Sequence, residues 1–261
     1  MGNGPGDGDS PLVRYQLSGG VATVTLDSPA NRNALSRRLL VDLHAAFDAS
    51  ESARVIVLTH TGPTFCAGAD LKERSTGQTD ARPMARAMQR LIEMPQPTIA
   101  ALTGSVRAGG IGLMAACDLV VVRPEVTFAF TEVRIGVAPA IISVPIMRRV
   151  PWTRLAGAYL TGETFDSATA RDMGLVTHVT EDVATSVARL TNGILAGAPN
   201  AVTATKSLLH RSPADNLVDE FETMRLLSEQ LFSSAEAVEG MRAFADRRDP
   251  DWTALPGADA R

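Results

Sequence analysis

The chain has 261 residues, 45% hydrophobic and 21% charged, with a formal net charge of −4. This is enough for one large domain or a domain with an appendage, and the mildly acidic balance disfavours a nucleic-acid backbone as partner. No apolar run approaches the roughly 20 residues needed to cross a membrane, so a cytoplasmic protein with no membrane partner is expected.

The opening Met1-Gly-Asn-Gly-Pro-Gly-Asp-Gly-Asp-Ser10 is Gly-rich and acidic. It has neither the basic start nor the apolar core of a secretory signal, and Gly6 stands where a myristoylation signal wants Ser or Thr. It reads as a disordered lead-in over 1–10. Val13-Arg-Tyr-Gln-Leu17 and Val21-Ala-Thr-Val-Thr-Leu26 alternate apolar and polar residues around Gly19-Gly20, the pattern of a β-hairpin. A loop over 28–33 follows. Ser36 is placed to cap a helix carrying Leu39, Leu40, Leu43 and Phe47 at helical spacing.

Val55-Ile-Val-Leu-Thr59 predicts a buried strand, and Thr61-Gly-Pro-Thr64 a turn. The polar stretch 74–82 reads as a mobile loop. Met84, Met88, Leu91, Ile92 and Met94 mark an amphipathic helix, whose methionines suit either core packing or an adaptable pocket wall. Pro95-Gln-Pro97 stops it. Strands are expected over 98–102, 119–122 and 127–130, and helices over 140–149, 152–160 and 168–174. A further strand is expected at 175–179. Beyond about 181 only helical periodicity remains, over 183–195, 200–210, 214–233 and 235–246. Strand and helix alternate with short connections, as in an α/β fold.

Two small-residue loops stand out, Phe65-Cys-Ala-Gly-Ala-Asp-Leu-Lys72 and Arg107-Ala-Gly-Gly-Ile-Gly112. Each follows a strand and opens a helix. Amides at a helix start lack intrahelical partners and can bind a negative oxygen. Glycine also serves tight turns and close helix packing. Neither loop fits the Gly-x-Gly-x-x-Gly fingerprint, and no Gly-Lys-Ser/Thr follows either one. A pair of backbone donors converging on one oxygen remains. In an oxyanion hole one such donor is worth about 2.7–4 kcal/mol. The two cysteines, Cys66 and Cys117, and the four histidines show no metal spacing, and the cysteines read as buried free thiols.

Three segments together, Phe65-Cys-Ala-Gly-Ala-Asp-Leu-Lys-Glu73, Gly104-Ser-Val-Arg-Ala-Gly-Gly-Ile-Gly-Leu-Met-Ala-Ala-Cys-Asp118 and Phe128-Ala-Phe-Thr-Glu-Val-Arg-Ile-Gly-Val-Ala-Pro139, closely resemble the crotonase superfamily, the enoyl-CoA hydratase/isomerase family. The resemblance runs from about Val13 to Trp252. It implies an α/β fold: a crotonase-like spiral of ββα turns over 11–197, then a helical region over 198–261 for oligomerisation and active-site cover. It implies a homotrimer or dimer of trimers acting on an acyl-CoA thioester. No separate cofactor is implied, since coenzyme A is part of the substrate. The backbone N–H groups of Ala69 and Gly109 would hold the thioester oxygen. Ala67, Gly68, Asp70, Leu71, Gly110 and Ala140 would line the substrate site, with the adenine against 67–70. The basic segment at Arg247 and Arg248 would touch coenzyme A. Family members often carry a basic residue near position 30. Ala30 stands there in this chain, which leaves Arg32 as the candidate.

Typical hydratases of the family carry two glutamates across the pocket. The second matches Glu132; the first falls at Gly112, which has no side chain. Hydration of a trans-2-enoyl-CoA, in fatty-acid or related acyl-CoA breakdown, is the leading expectation from the family. A Δ3-Δ2-enoyl-CoA isomerase is the alternative, since moving a double bond needs one base that takes a proton and returns it. A non-catalytic acyl-CoA binder is the further alternative. Arg134 could pair with Glu132 and depress its pKa, and Arg107 beside the second loop has no assigned role.

Overall fold

The computed structural model describes residues 10–76, 80–211 and 216–253. All of the expected lead-in except Ser10, the tip of the 74–82 stretch at 77–79, and the end beyond Thr253 lie outside the described residues.

β1 (Val13–Ser18) and β2 (Val21–Leu26) form the expected antiparallel hairpin, with Tyr15 opposite Val24. β2 then pairs in parallel with β3 (Val55–His60), β3 with β5 (Thr98–Leu102), β5 with β7 (Leu119–Val122), and β7 with the two-residue β10 (His178–Val179), giving a six-stranded sheet. Strands buried on both faces need apolar residues throughout. Accordingly Ile56, Leu58, Ile99, Ala100, Val120 and Val122 are all buried.

Three short strands make a second sheet. β4 (Thr64–Cys66), β6 (Ser105–Arg107) and β8 (Thr127–Ala129) run parallel, and β9 (Phe165–Asp166) closes the order antiparallel to β8. Each long strand thus passes straight into a short one and then into a helical segment. β3 and β4 lead to α2 (Leu71–Ser75) and α3 (Arg82–Glu93), β5 and β6 to α4 (Gly109–Ala115), and β7 and β8 to a 3-10 turn (Thr131–Ile135) and α5 (Ala140–Met147). This is a spiral of ββα turns. It stacks equivalent loops beside one another at the C-terminal ends of the strands.

Ser36 caps α1 (Arg37–Ala49) by accepting from the Leu39 amide, as its position predicts. Leu39, Leu43, Phe47, Met88 and Leu91 bring α1 and α3 into the main core. α6 (Trp152–Thr161) and α7 (Ser167–Met173) follow, each ending on a left-handed glycine. α8 (Val183–Ala196) covers the other face of the long sheet over Val55, Val57, Ile99 and Val121.

α9 (Pro199–His210), α10 (Leu217–Phe232) and α11 (Ala235–Asp246) complete the chain. α9 is fixed by Lys206, 5% exposed, whose Nζ donates to the carbonyls of Leu91 and Gln96 and lies 3.0 Å from the Asp118 carboxylate. Asp118 also accepts from the Thr98 amide and hydroxyl. Leu217, Val218, Phe221, Leu226 and Phe232 of α10 are exposed. Among the described residues no helix is long and apolar enough to cross a membrane.

Candidate active site

The site is built where the first two ββα turns meet. After β4, the Ala67 amide donates to the Arg32 carbonyl at 3.0 Å, and the Gly68 carbonyl accepts from Leu35 at 2.7 Å. The Gly68 amide faces Cys66 Sγ at 3.4 Å. Asp70 then caps α2, its carboxylate accepting from the amides of Lys72 and Glu73. After β6, Ala108 takes φ 48°, ψ −123°, a conformation a non-glycine residue rarely adopts, and Gly109 begins α4.

The two loops touch. A Cβ at Gly110 would lie 2.7 Å from the Cβ and carbonyl oxygen of Cys66, and one at Gly68 would lie 3.0 Å from the Gly109 nitrogen. Only residues without side chains permit this approach. The amides of Ala69 and Gly109 have no protein acceptor among the described residues. Both residues line one cavity of about 590 Å³. Two free donors at one cavity suit an oxygen that gains negative charge during reaction.

Glu132 enters the same cavity from the third turn. It sits in the 3-10 turn that Gly136 ends in a left-handed cap. Phe130, fully buried, anchors the start of this turn, with the Tyr159 ring 4.3 Å away. The Tyr159 hydroxyl lies 3.4 Å from Ser143 Oγ, so α6 and α5 brace the turn between them. Glu132 Oε2 is buried and has no hydrogen-bond partner among the described residues. Burial pushes the Glu132 carboxyl above the ordinary carboxylate range, its own backbone amide opposing in part. An unpartnered carboxylate facing a cavity, with a raised pKa, has the properties of a general base.

Arg134 does not pair with Glu132: its Nε donates to the Thr161 carbonyl at 3.0 Å. The expected depression of the Glu132 pKa is therefore absent, because the 3-10 turn points the two side chains apart where an extended segment would align them. Arg107 serves the fold. Its guanidinium bonds the carbonyls of Val106 and Thr127 and the Thr127 hydroxyl, clamping β6 to β8. Cys66 and Cys117 are buried thiols pushed up to about 12 by burial, as inert as their apolar surroundings predict.

Of the other sequence-predicted residues, Ala67, Leu71 and Ala140 line the cavity. Gly68, Asp70 and Gly110 shape the loops around it. Arg32 is exposed beside Ala67, in a left-handed cap that follows the 3-10 turn Pro29–Asn31. Arg247, the left-handed cap of α11, and Arg248 are not among the residues that line this cavity. Arg248 is held by Glu239 and Asp246. Trp252, just beyond, donates to the Ala196 carbonyl and lines a separate cleft with Arg54, Pro97 and Glu236. Arg54 and Pro97 precede β3 and β5, whereas the loops follow those strands, so a strand length of roughly 20 Å separates the two regions.

The far wall is formed by Ile141 and Ile142 of α5, with Val137 before it and Met84 of α3, whose methionines suited a pocket wall in the sequence. Of these, Val137 carried no sequence signal of its own.

The chain matches known proteins along nearly its whole length. The family model described as enoyl-CoA hydratase/isomerase matches residues 16–255. An enoyl-CoA hydratase of Mycobacterium tuberculosis is 31% identical over 256 residues, covering 93% of this chain and 96% of that protein. A solved enoyl-CoA hydratase from Mycobacterium avium is 43% identical with a TM-score of 0.72, covering 94% of this chain and 100% of the other. One from Mycobacterium smegmatis is 29% identical with a TM-score of 0.86, covering the same shares. With its ββα spiral and its paired small-residue loops, the chain belongs to the enoyl-CoA hydratase/isomerase family, the crotonase superfamily.

Proposed function

We propose that the protein binds an enoyl-CoA thioester, holds the thioester oxygen on the amides of Ala69 and Gly109, and moves protons with Glu132 as its single acid–base group. The reaction this site serves best is transposition of a double bond from C3–C4 to C2–C3. Glu132 takes a proton from C2. The electrons shift into a dienolate whose negative oxygen rests on the two amides. The same carboxyl returns the proton to C4. One proton moves and nothing else enters or leaves, so one carboxyl suffices.

The observation that carries this reading is the unpartnered Glu132 Oε2 in the cavity that also holds both amides, with hydrocarbon where a second carboxyl would stand. Hydration of a trans-2-enoyl-CoA is the second reading, favoured by the hydratase names of the similar proteins. It needs a water held at C3 and a proton delivered to C2, work that two carboxyls share more readily than one.

The test uses a 3-enoyl-CoA and a trans-2-enoyl-CoA, each in heavy-oxygen water. Conversion of the 3-enoyl substrate without label supports transposition, and label in the product from the 2-enoyl substrate supports hydration. Glu132→Gln is expected to lose at least about a hundredfold in turnover with acyl-CoA binding retained. Full activity in that variant sinks the assignment, and binding without turnover of any substrate in a panel makes the protein a non-catalytic acyl-CoA binder.

A further inference from the structure

Gly112 lies on α4, fully inside the protein, and does not itself line the cavity. A Cβ added there would meet Ile142 Cγ2 at 2.5 Å, Ile142 Cβ at 2.7 Å and Met88 Cε at 2.8 Å. The Met88 methyl is the far end of a flexible side chain and can move. Ile142 Cβ cannot, because it is bonded to the backbone of α5. The space beside Gly112 is therefore closed by a rigid branched residue from the facing helix.

Ile142 is 2% exposed and presents the little surface it has to the cavity. It stands between Gly112 and the substrate space, on a wall continued by Ala140 and Ile141. A water on that wall would find side chains of hydrocarbon that neither accept nor donate, and a bound water needs two to four polar partners. An alkyl chain meets the same wall at no cost in unpaired polar groups.

We infer that Ile142 is a specificity-determining residue, a plug that occupies the place of a second acid–base group and keeps the site to proton transfer through Glu132 alone, on acyl chains that put hydrocarbon against this wall. The inference rests on the single-base reading above. It adds that position 112 cannot be changed by itself: Gly112 and Ile142 form one unit, and the reaction catalysed depends on both.

Four proteins test it: wild type, Gly112→Glu, Ile142→Ala and the double variant G112E/I142A. Gly112→Glu alone is expected to lower the melting temperature, since overpacking against a fixed Cβ strains the core. Ile142→Ala in the same chain is expected to restore part of that loss. The double variant is expected to incorporate oxygen from heavy-oxygen water into the product of a trans-2-enoyl-CoA at least about tenfold faster than wild type, a conservative gain for an added acid–base group. Ile142→Ala alone, which opens the wall without supplying a second carboxyl, is expected to show less of that gain than the double variant.

A melting temperature for Gly112→Glu equal to wild type would show that Ile142 does not block the position and would overturn the inference. So would a folded double variant with no gain in label. Glu132→Gln, assayed for exchange of the C2 proton of a saturated acyl-CoA in deuterated water, separates the two levels. Exchange surviving in that variant removes the single-base reading itself. Exchange lost there, with no gain in the double variant, removes only the role of Ile142.

Discussion

Gly68 and Gly109 meet at the junction of the two loops: a Cβ on Gly68 would stand 3.0 Å from the Gly109 nitrogen and 2.8 Å from Ala108 Cβ. Gly68 also has φ +91°, where an L side chain is strained. Gly68→Ala therefore combines backbone strain with a clash against a proposed oxyanion donor. We expect kcat/KM to fall about a hundredfold, as for loss of one such donor. Gly19→Ala is the matched control. Gly19 has φ +56° with nothing within 4 Å of an added Cβ, so it carries the strain, about 1–2 kcal/mol, without the clash. If both variants lose stability equally and keep activity, the contact between the loops has no bearing on the chemistry.

Glu132 gives a pH dependence of definite sign. Burial raises its folded pKa above the unfolded value, so protonation favours the folded state. The stability this confers is fully present below the ordinary carboxylate range and is lost as pH rises through the raised pKa. Glu132→Gln, neutral throughout, should match wild type in acid and exceed it near pH 8 by about 1 kcal/mol, the low end for a buried unpaired group. The base acts deprotonated, so kcat/KM in wild type should rise with pH through that same raised value. Urea unfolding at both pH values and a pH–rate profile check the two halves.

Much of this could be read from the residues. The loops were legible because glycine and alanine clustered after apolar runs, and the long strands because β-branched residues filled them. β8 was legible as the short strand expected over 127–130, but β4 and β6, three residues each, are too short for any periodicity, so the second sheet could not be outlined. Of the 175–179 stretch only His178 and Val179 pair as a strand; Thr177 and Thr180 reach the carbonyls of Val120 and Val122 from outside it. Gly112 was legible as a missing carboxylate, but not what replaces it. Ile142 is thirty positions later on another helix, and only the packing of α5 on α4 brings it there. Arg248 was legible as a cation, whereas its partners Glu239 and Asp246 and its distance from the loops follow from where α11 docks.

Ala108 holds φ 48°, ψ −123° directly before Gly109. These angles are close to those of the first central position of a type II′ turn, which glycine normally fills. Such strain costs about 1–3 kcal/mol, and removing it with glycine adds about 0.4–1 kcal/mol of unfolded-state entropy to be overcome. Ala108→Gly should therefore stabilise the protein by about 1 kcal/mol. The Ala108 methyl also limits how far the loop can relax towards Gly68. A rise in melting temperature with a several-fold lower kcat is expected. A drop in melting temperature would show that the conformation carries no strain.

Lys206 and Asp118 predict how the C-terminal helices depend on the core. Lys206 Nζ is nearly fully buried, with burial lowering its pKa and Asp118 opposing, and it satisfies two carbonyls besides the carboxylate. Lys206→Ala takes a donor from all three acceptors, and removing one member of a buried pair costs about 3–5 kcal/mol. Asp118 keeps Thr98 and His210 as partners, the latter at 2.7 Å, which places the expected loss near the lower figure. The loss should concentrate where α9 meets the core, so amide exchange over 199–210 should quicken more than over β3 and β5. Adding Asp118→Asn should recover part of the stability, because the stranded charge is then gone. Additive losses in the double variant would mean that the two side chains act independently and that α9 is held by its apolar contacts alone.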